Sequence, residues 1–327
     1  MWFRRGIRQL PRRVVPELDD SELSRVLSHL DAQISAQGDN LAQANDRGAL
    51  TYPIEQTLRD SGRDWDRRIH RLLVLSSLRE APVLARQWHT RKPDCPDALL
   101  FEAYAGLAQH GSGGAAHNLG PVIALCRQAA KLLPDDPAPW VALLTCYRLI
   151  RAATADVRSV WEGVKTRDPW NREAHLQVLH YLSPRECGSH ATMLQFTDAV
   201  RTQAPPRSPV ESLALLASLT QYLALREADG ITALTAHRHW NQPYQRALVD
   251  HALATWTQPG HLTHAAALTD LNVLAYVLIK AMRLRDASTV LQAIGPVVTA
   301  WPWQEDGPPV ETFRDWSRRA QRAAQQR

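Results

Sequence analysis

The stretch from residue 122 to residue 147 constrains the fold of this chain more than any other. It reads VIALCRQAAKLLPDDPAPWVALLTCY, in which two runs with the helical spacing of apolar residues flank the turn sequence Pro-Asp-Asp-Pro. A proline clashes with a helix that precedes it but fits the first turn of the helix that follows. The stretch therefore predicts two helices joined by a tight reversal of the chain.

Similar proline breaks recur along the chain. In each, a helical pattern ends in a basic or polar turn, and a new pattern starts just after the break. Successive breaks are 41, 32 and 40 residues apart, and their prolines are Pro96, Pro137, Pro169 and Pro209. Periods of this length are typical of arrays of helix pairs, in which each pair buries its apolar face on a neighbour. The abundance of Ala and Leu also favours helix over strand.

The central stretch resembles the tetratricopeptide repeat. That family carries the pattern W-x-x-L-G-x-x-Y on the first helix of each pair, and a proline closes the second helix. The residues that match are Trp140, Leu143 and Tyr147 of one unit and Ala129 and Pro134 of the preceding unit. Leu144 stands where the family prefers glycine. The resemblance implies a right-handed α-solenoid of antiparallel helix pairs with degenerate repeats.

The chain is also similar to uncharacterised bacterial helical-repeat proteins. This similarity lies in residues 181–196, YLSPRECGSHATMLQF, which follow the third proline break. It implies a helical-repeat architecture and no particular activity.

Composition and periodicity divide the chain into three predicted parts. Residues 1–16 form a basic N-terminal segment, and residues 17–309 form the helical array, with a candidate subdivision near residues 205–210. Residues 310–327 form a capping helix and a basic tail, because the last helix of an array needs a polar outer face.

Two further segments of the array have readable patterns. Residues 64–77 predict an amphipathic helix whose water-facing side carries Arg67, Arg68 and Arg71. Residues 230–240 predict another continuous helix.

The glycine-rich tract at residues 111–114 is predicted to be a connection, since no strand precedes it and no Lys-Ser/Thr follows it. A P-loop is therefore excluded.

The formal net charge of +5 is concentrated at the two ends of the chain. Residues 1–13 carry +5 and residues 314–327 carry +4, which leaves −4 for the residues between them. This distribution argues against a basic groove along the array, as nucleic-acid binding would require. Nucleic acid or an anionic surface is a predicted partner only through the basic termini.

The cysteines and the apolar runs indicate the cellular compartment. The four cysteines, Cys95, Cys126, Cys146 and Cys187, form no C-x-x-C pair, and we interpret them as reduced thiols. No apolar run is long enough to span a bilayer, and the N-terminus lacks the apolar core of a secretory signal. The sequence predicts a cytoplasmic protein without a cofactor.

Histidines are densest in the C-terminal half, at His237, His239, His251, His261 and His264. Two histidines at i and i+3 can share a metal ion, but no H-E-x-x-H pattern is present, and we predict no metal site. The loop from Arg185 to His190 is a second cluster of reactive side chains. An enzyme or a metal-dependent protein that uses either region is the alternative function.

The favoured function is a non-catalytic interaction or scaffold module. An α-solenoid has a long concave surface formed by the first helix of each pair, and such surfaces bind protein or peptide partners. The polar residues predicted to contact a partner there are Glu102, Arg148, Gln177, His180 and Arg185.

Overall fold

A computed structural model of the chain describes residues 11–37, 47–111 and 118–326. All regular structure in these ranges is helical, so the predicted all-α class is confirmed for the described part of the chain, which contains no strand. The expectations for residues 1–10 and for the glycine tract from residue 112 onward concern positions outside the described residues.

The chain separates into two compact units. Asp20–Ser189 form one, which we call the inserted unit. His190–Arg327 form the other together with the segment that ends at Asp19, and we call this the terminal unit. The boundary between the two units, after Ser189, therefore lies earlier in the sequence than the subdivision predicted near residues 205–210.

The inserted unit contains nine helices within its described residues. They are α1 (Ser21–Gln37), α2 (Arg47–Arg59), α3 (Trp65–Ser76), α4 (Ala81–Arg91), α5 (Pro96–Gly111), α6 (Gly120–Leu132), α7 (Ala138–Leu149), α8 (Thr154–Lys165) and α9 (Arg172–Tyr181). From α3 to α8 each helix packs on the next, and α3, α5, α7 and α9 also pack on one another in succession.

The proline breaks in this unit coincide with helix starts, as predicted. Pro96 is the first residue of α5, and Pro137 is the residue that caps α7. Pro169 lies two residues before Asn171, whose side-chain oxygen accepts a hydrogen bond of 3.0 Å from the backbone N–H of Ala174 and so caps α9.

Two arginines of α3 are buried, and their predicted exposure is therefore wrong. Arg68 exposes 4% of its surface and Arg71 exposes 2%. Arg71 donates to the carboxylate of Asp20 at 2.7 Å and 3.1 Å and to the backbone oxygen of Thr57 at 2.6 Å. A guanidinium can be buried when carboxylates and carbonyls accept its hydrogen bonds in this way.

Arg68 joins the beginnings of three helices in the same manner. Its Nε donates to Asp136 at 2.8 Å, and its Nη2 donates to Asp97 at 2.5 Å. Asp136 also accepts from the backbone N–H of Ala138 at 2.8 Å, and Asp97 lies in the first turn of α5. One buried cation on α3 thus fixes the N-terminal ends of α5 and α7.

The tryptophan of the repeat-like stretch fills the space between two helices. Trp140 of α7 packs on Gly163 of α8, and the guanidinium of Arg167 lies over its ring at 4.5 Å from the centroid. A Cβ atom on residue 163 would overlap the six-membered ring of Trp140. The close approach of α7 and α8 therefore requires glycine at this position.

Replacing Gly163 by alanine is expected to lower the free energy of unfolding by about 1–3 kcal/mol, because the indole must leave its site. In a Trp140→Leu background the same change is expected to be neutral or to stabilise by up to about 1 kcal/mol, since alanine is the better helix former. Urea denaturation of the parent, the two single variants and the double variant gives the unfolding free energies of this double-mutant cycle. Equal costs in both backgrounds would contradict this packing.

The described part of the terminal unit contains seven α-helices and two short 3₁₀ helices. The α-helices are α10 (His190–Gln203), α11 (Leu213–Glu227), α12 (Ile231–Thr235), α13 (Pro243–Trp256), α14 (Ala267–Lys280), α15 (Leu284–Ile294) and α16 (Pro309–Gln325). The 3₁₀ helices are Ala236–Asn241 and Trp303–Asp306. None of the helices described in either unit is both long and apolar enough to cross a bilayer.

The continuous helix predicted over residues 230–240 is not observed. The α-helix ends after five residues, and the chain continues in a 3₁₀ helix. The adjacent residues His239 and Trp240 are both buried in this segment. In an α-helix, neighbouring side chains point about 100° apart. One amphipathic face therefore does not account for the burial of both His239 and Trp240.

The core of the terminal unit surrounds α14. Trp303 is fully buried, contacts the rings of Tyr276 and Phe313 and donates from Nε1 to Asn272 at 2.8 Å. Phe313 brings α16 into this core. Asn272 in turn donates to two backbone oxygens, so its polar groups are satisfied inside an apolar environment.

The described part of the N-terminal segment belongs to this unit as well. The backbone N–H of Val15 donates to the carbonyl of Val298 at 2.9 Å, and Arg314 of α16 donates to the carbonyl of Pro11. Leu18 is buried. Residues at the two ends of the sequence therefore share one core.

Candidate functional site

The predicted partner-binding residues of α7 and α9 meet in one polar network, in which Gln177 is buried and His180 is exposed. Nε of Arg148 donates to Oε1 of Gln177 at 2.7 Å, and Nε2 of Gln177 donates to Glu173 at 2.6 Å. His180 lies three residues beyond Gln177 on α9 and is exposed. Residues three apart on a helix are neighbours, so His180 extends the same surface.

A carboxylate of the predicted Arg185–His190 cluster completes this surface. Glu186 accepts a hydrogen bond from Nη1 of Arg148, and its Oε2 is buried without a hydrogen-bond partner among the described residues. Hydrogen bonds from Cys187 N to Tyr181 O and from Gly188 N to Ser183 O fold the loop back over the end of α9.

Gly188 is required for that fold. A Cβ atom there would overlap the backbone carbonyl of Leu182, which cannot move as a flexible side chain would. The loop therefore holds Glu186 in a fixed position against Arg148. The serine, proline and glycine of residues 183–189 predict a tight turn at this position from the sequence.

The other two predicted partner-binding residues differ in placement. Arg185 is exposed in the loop beside Glu186, and its carbonyl accepts a hydrogen bond from Arg151 at 3.2 Å. Glu102 of α5 instead contacts Nδ1 of His89 on α4 at 2.5 Å. We call Arg148, Gln177, His180, Arg185 and Glu186 the Arg148 surface, and Glu102 is not part of it.

Three of the C-terminal histidines lie apart from one another. His237 is exposed and bonds to the carbonyl of Leu234 at 2.9 Å. His239 is buried with Nε2 2.9 Å from the Ser218 hydroxyl, and burial lowers its pKa to about 4. The side chain of His264 is 3.3 Å from the fully buried carboxylate of Asp270. These contacts are structural.

The remaining two histidines meet at a carboxylate. Nε2 of His251 is 3.2 Å from Oε1 of Glu211, and Nε2 of His261 is 3.1 Å from Oε2. Glu211 is 40 residues from His251 and 50 residues from His261 in the sequence. No local spacing could have indicated this group.

The alternative of a metal-dependent protein finds no matching geometry in the described part of the chain, where no group of three or more His, Cys, Asp or Glu residues is arranged to hold a metal ion. In the Arg185–His190 loop, Cys187 is exposed and carries a free thiol. Ser189 ends the inserted unit and His190 begins α10 of the terminal unit.

Glu211, His251 and His261 line a cleft of about 460 Å³ within the terminal unit. The cleft is bounded by the end of α10, the loop 204–210, the start of α11 and one side of α13. Apolar side chains supply most of its wall. Its volume lies in the range of sites that bind small molecules, about 300–1,000 Å³.

The basic C-terminal helix makes several contacts within the terminal unit. Arg318 pairs with Asp315 at 3.3 Å, and the guanidinium of Arg319 lies 4.8 Å from the ring centroid of Trp316. Arg314 reaches Pro11, as described above. Binding of nucleic acid or an anionic surface through the basic termini stays a prediction, because residues 1–10 lie outside the described part.

Comparison with protein-family models, with curated proteins and with solved structures finds no match to this chain.

Proposed function

We propose that the chain is a non-catalytic cytoplasmic scaffold protein that binds a protein partner on the Arg148 surface. In this proposal the inserted unit is a right-handed, tetratricopeptide-like α-solenoid of antiparallel helix pairs. The proline period and the successive packing of α3, α5, α7 and α9 support it. The Arg148 surface lies on α7, on α9 and in the loop that follows α9.

The observation that carries the proposal is the network in which Arg148 donates to Gln177 and to Glu186, beside exposed cationic side chains. The second oxygen of Glu186 is buried, so this carboxylate belongs to the network and is out of reach of a partner. A partner would therefore be recognised through the exposed side chains around the network.

The exposed side chains around Glu186 indicate the charge of the partner. Arg151 and Arg185 are exposed cations at this end of the unit, and the ring of His180 is exposed as well. An extended peptide segment with an acidic side chain near Arg185 fits this arrangement, because complementary charge speeds encounter and fixes register.

We expect the double variant His180→Glu/Arg185→Glu to bind the partner about tenfold more weakly than the parent chain, since both positions are exposed and the new charges repel an acidic segment. The partner is identified by photocrosslinking from a benzophenone amino acid at residue 180, and its affinity is then measured with purified proteins. Arg148 is left intact because its loss would disturb the network itself.

The matched control is Arg158→Glu, which reverses an exposed charge on α8. It is expected to bind as the parent does. Thermal melting checks that all variants fold. A partner that binds the double variant and the parent equally well would show that the Arg148 surface is not its site.

A second candidate function is acid–base catalysis in the terminal unit. The observation that favours it is the pair of imidazoles that share Glu211 at the wall of the cleft. A carboxylate that orients an imidazole is a recurring arrangement around a general base. Acid–base catalysis by these histidines would require a substrate that binds in the cleft.

A further inference from the structure

The terminal-unit cleft has an apolar wall and a charged rim. Leu213, Leu248 and Trp256 are among the apolar residues of the wall, and Trp256 exposes only 4% of its surface. Arg201 and Arg207 stand at the rim. A ligand that fits must combine an apolar body with a polar end.

The charged side chains of the cleft indicate the charge of that polar end. Glu211 is held by two histidines, which are cations only when protonated. Arg201 is 3.4 Å from Asp198. The guanidinium of Arg207 has neither an ion pair nor a hydrogen bond within the part of the chain that the structure describes. Arg207 is therefore the cation that is available to pair with an anionic group of a ligand.

The hydrogen-bonding groups of the wall agree with this sign. The indole N–H of Trp256 is buried and has no acceptor among the described residues. Thr197 and Tyr244, which also line the cleft, already donate to Leu194 and Asp198. Among these side chains, the exposed guanidinium of Arg207 is therefore the donor that acceptor oxygens of a ligand can reach.

The backbone also positions Arg207. Its φ of 63° lies in the left-handed region, which residues with a Cβ atom rarely adopt. The loop that imposes this conformation contains Pro205, Pro206 and Pro209, and its shape places the arginine at the rim. Asparagine tolerates the same conformation better than most residues, which allows the charge to be removed without disturbing the loop.

We propose that this cleft binds a medium-chain aliphatic carboxylate. The carboxylate pairs with Arg207, and the hydrocarbon chain covers Leu213, Leu248 and the ring of Trp256. This proposal is independent of the partner proposed for the Arg148 surface, because it concerns different residues in the other unit.

Isothermal titration calorimetry of the full chain tests the proposal with three probes of equal chain length: decanoate, decanol and decylamine, all below their micellar concentrations. Decanoate is expected to bind about tenfold or more tightly than decanol, since a charge-assisted hydrogen bond distinguishes them. Decylamine is expected to bind most weakly. Equal affinities, or tighter binding of the amine, would overturn the proposal.

Variants locate the site. Arg207→Asn is expected to reduce the affinity for decanoate to that for decanol, and Arg207→Lys is expected to retain a preference for the acid. Ala247→Phe, at an exposed position on the cleft wall, is expected to abolish binding of all three probes by filling the space. Arg246→Asn, exposed on the same helix but outside this cleft, is the control. Decanoate binding that survives both Arg207→Asn and Ala247→Phe would refute the assignment.

Discussion

Replacing Arg68 by alanine is expected to lower the free energy of unfolding by about 3–5 kcal/mol, the usual cost of removing one partner from a buried ion pair. The change leaves the carboxylate of Asp136, whose residue is 2% exposed, and that of Asp97 without their common cation. It also releases the carbonyl of Leu58. Urea denaturation followed by circular dichroism measures the loss.

Two variants separate the ion pairs from other effects of this change. Arg67→Ala removes an exposed arginine from the same helix and is expected to cost less than about 1 kcal/mol. Arg68→Lys keeps the charge but cannot donate to Asp97, Asp136 and Leu58 with the geometry of a guanidinium, and an intermediate loss is expected. A cost for Arg68→Ala no larger than that for Arg67→Ala would mean that the buried pairs are unimportant.

The second large effect is a loss of stability in mild acid. His175 of α9 is 2% exposed, and its Nδ1 is 2.7 Å from the carbonyl of Asn171. Burial lowers its pKa from the usual 6.5 to about 4. Between these two pH values the unfolded chain binds more protons than the folded chain does. Stability therefore falls as the pH drops from 6.5 towards 4, by about 1.4 kcal/mol per pH unit for this histidine.

The variant His175→Gln tests this origin of the pH dependence. Glutamine can still donate to the carbonyl of Asn171 but does not titrate, so the slope of the unfolding free energy against pH should decrease by about 1.4 kcal/mol per unit. His29→Gln, which replaces a histidine at an exposed position on α1, is the control. An unchanged slope for His175→Gln would assign the acid sensitivity to other groups. The pKa of His239 in the terminal unit is also about 4, so we expect this unit to lose stability over the same pH range.

The helix boundaries could be predicted because they depend on local chemistry. Proline acts on the residues next to it, and Pro96, Pro137 and Pro169 therefore marked the starts of α5, α7 and α9 correctly. The arginines of α3 were placed wrongly for the opposite reason. Burial of Arg68 depends on Asp97 and Asp136, which are 29 and 68 residues away, and a hydrophobic pattern contains no information about such partners.

The candidate sites depend even more on residues that are distant in the sequence. Arg148 and Gln177 are predicted as polar positions of successive first helices, and the structure places a hydrogen bond of 2.7 Å between them. Glu186 belongs to the predicted Arg185–His190 cluster, but its contact with Arg148, 38 residues away, has no local signal in the sequence. The same holds for Glu211, whose partners are His251 and His261. Glu102 contacts His89 of α4, and its role in partner binding stays a prediction.

The attachment of the N-terminal segment to the terminal unit has a consequence for biosynthesis. Val15 and Pro11 leave the ribosome long before Val298 and Arg314, and Arg314 is 303 residues from Pro11. The inserted unit can complete its core during translation, because all of its residues are made within one continuous stretch. The contacts of Val15 and Pro11 within the terminal unit can form only after Val298 and Arg314 have been synthesised.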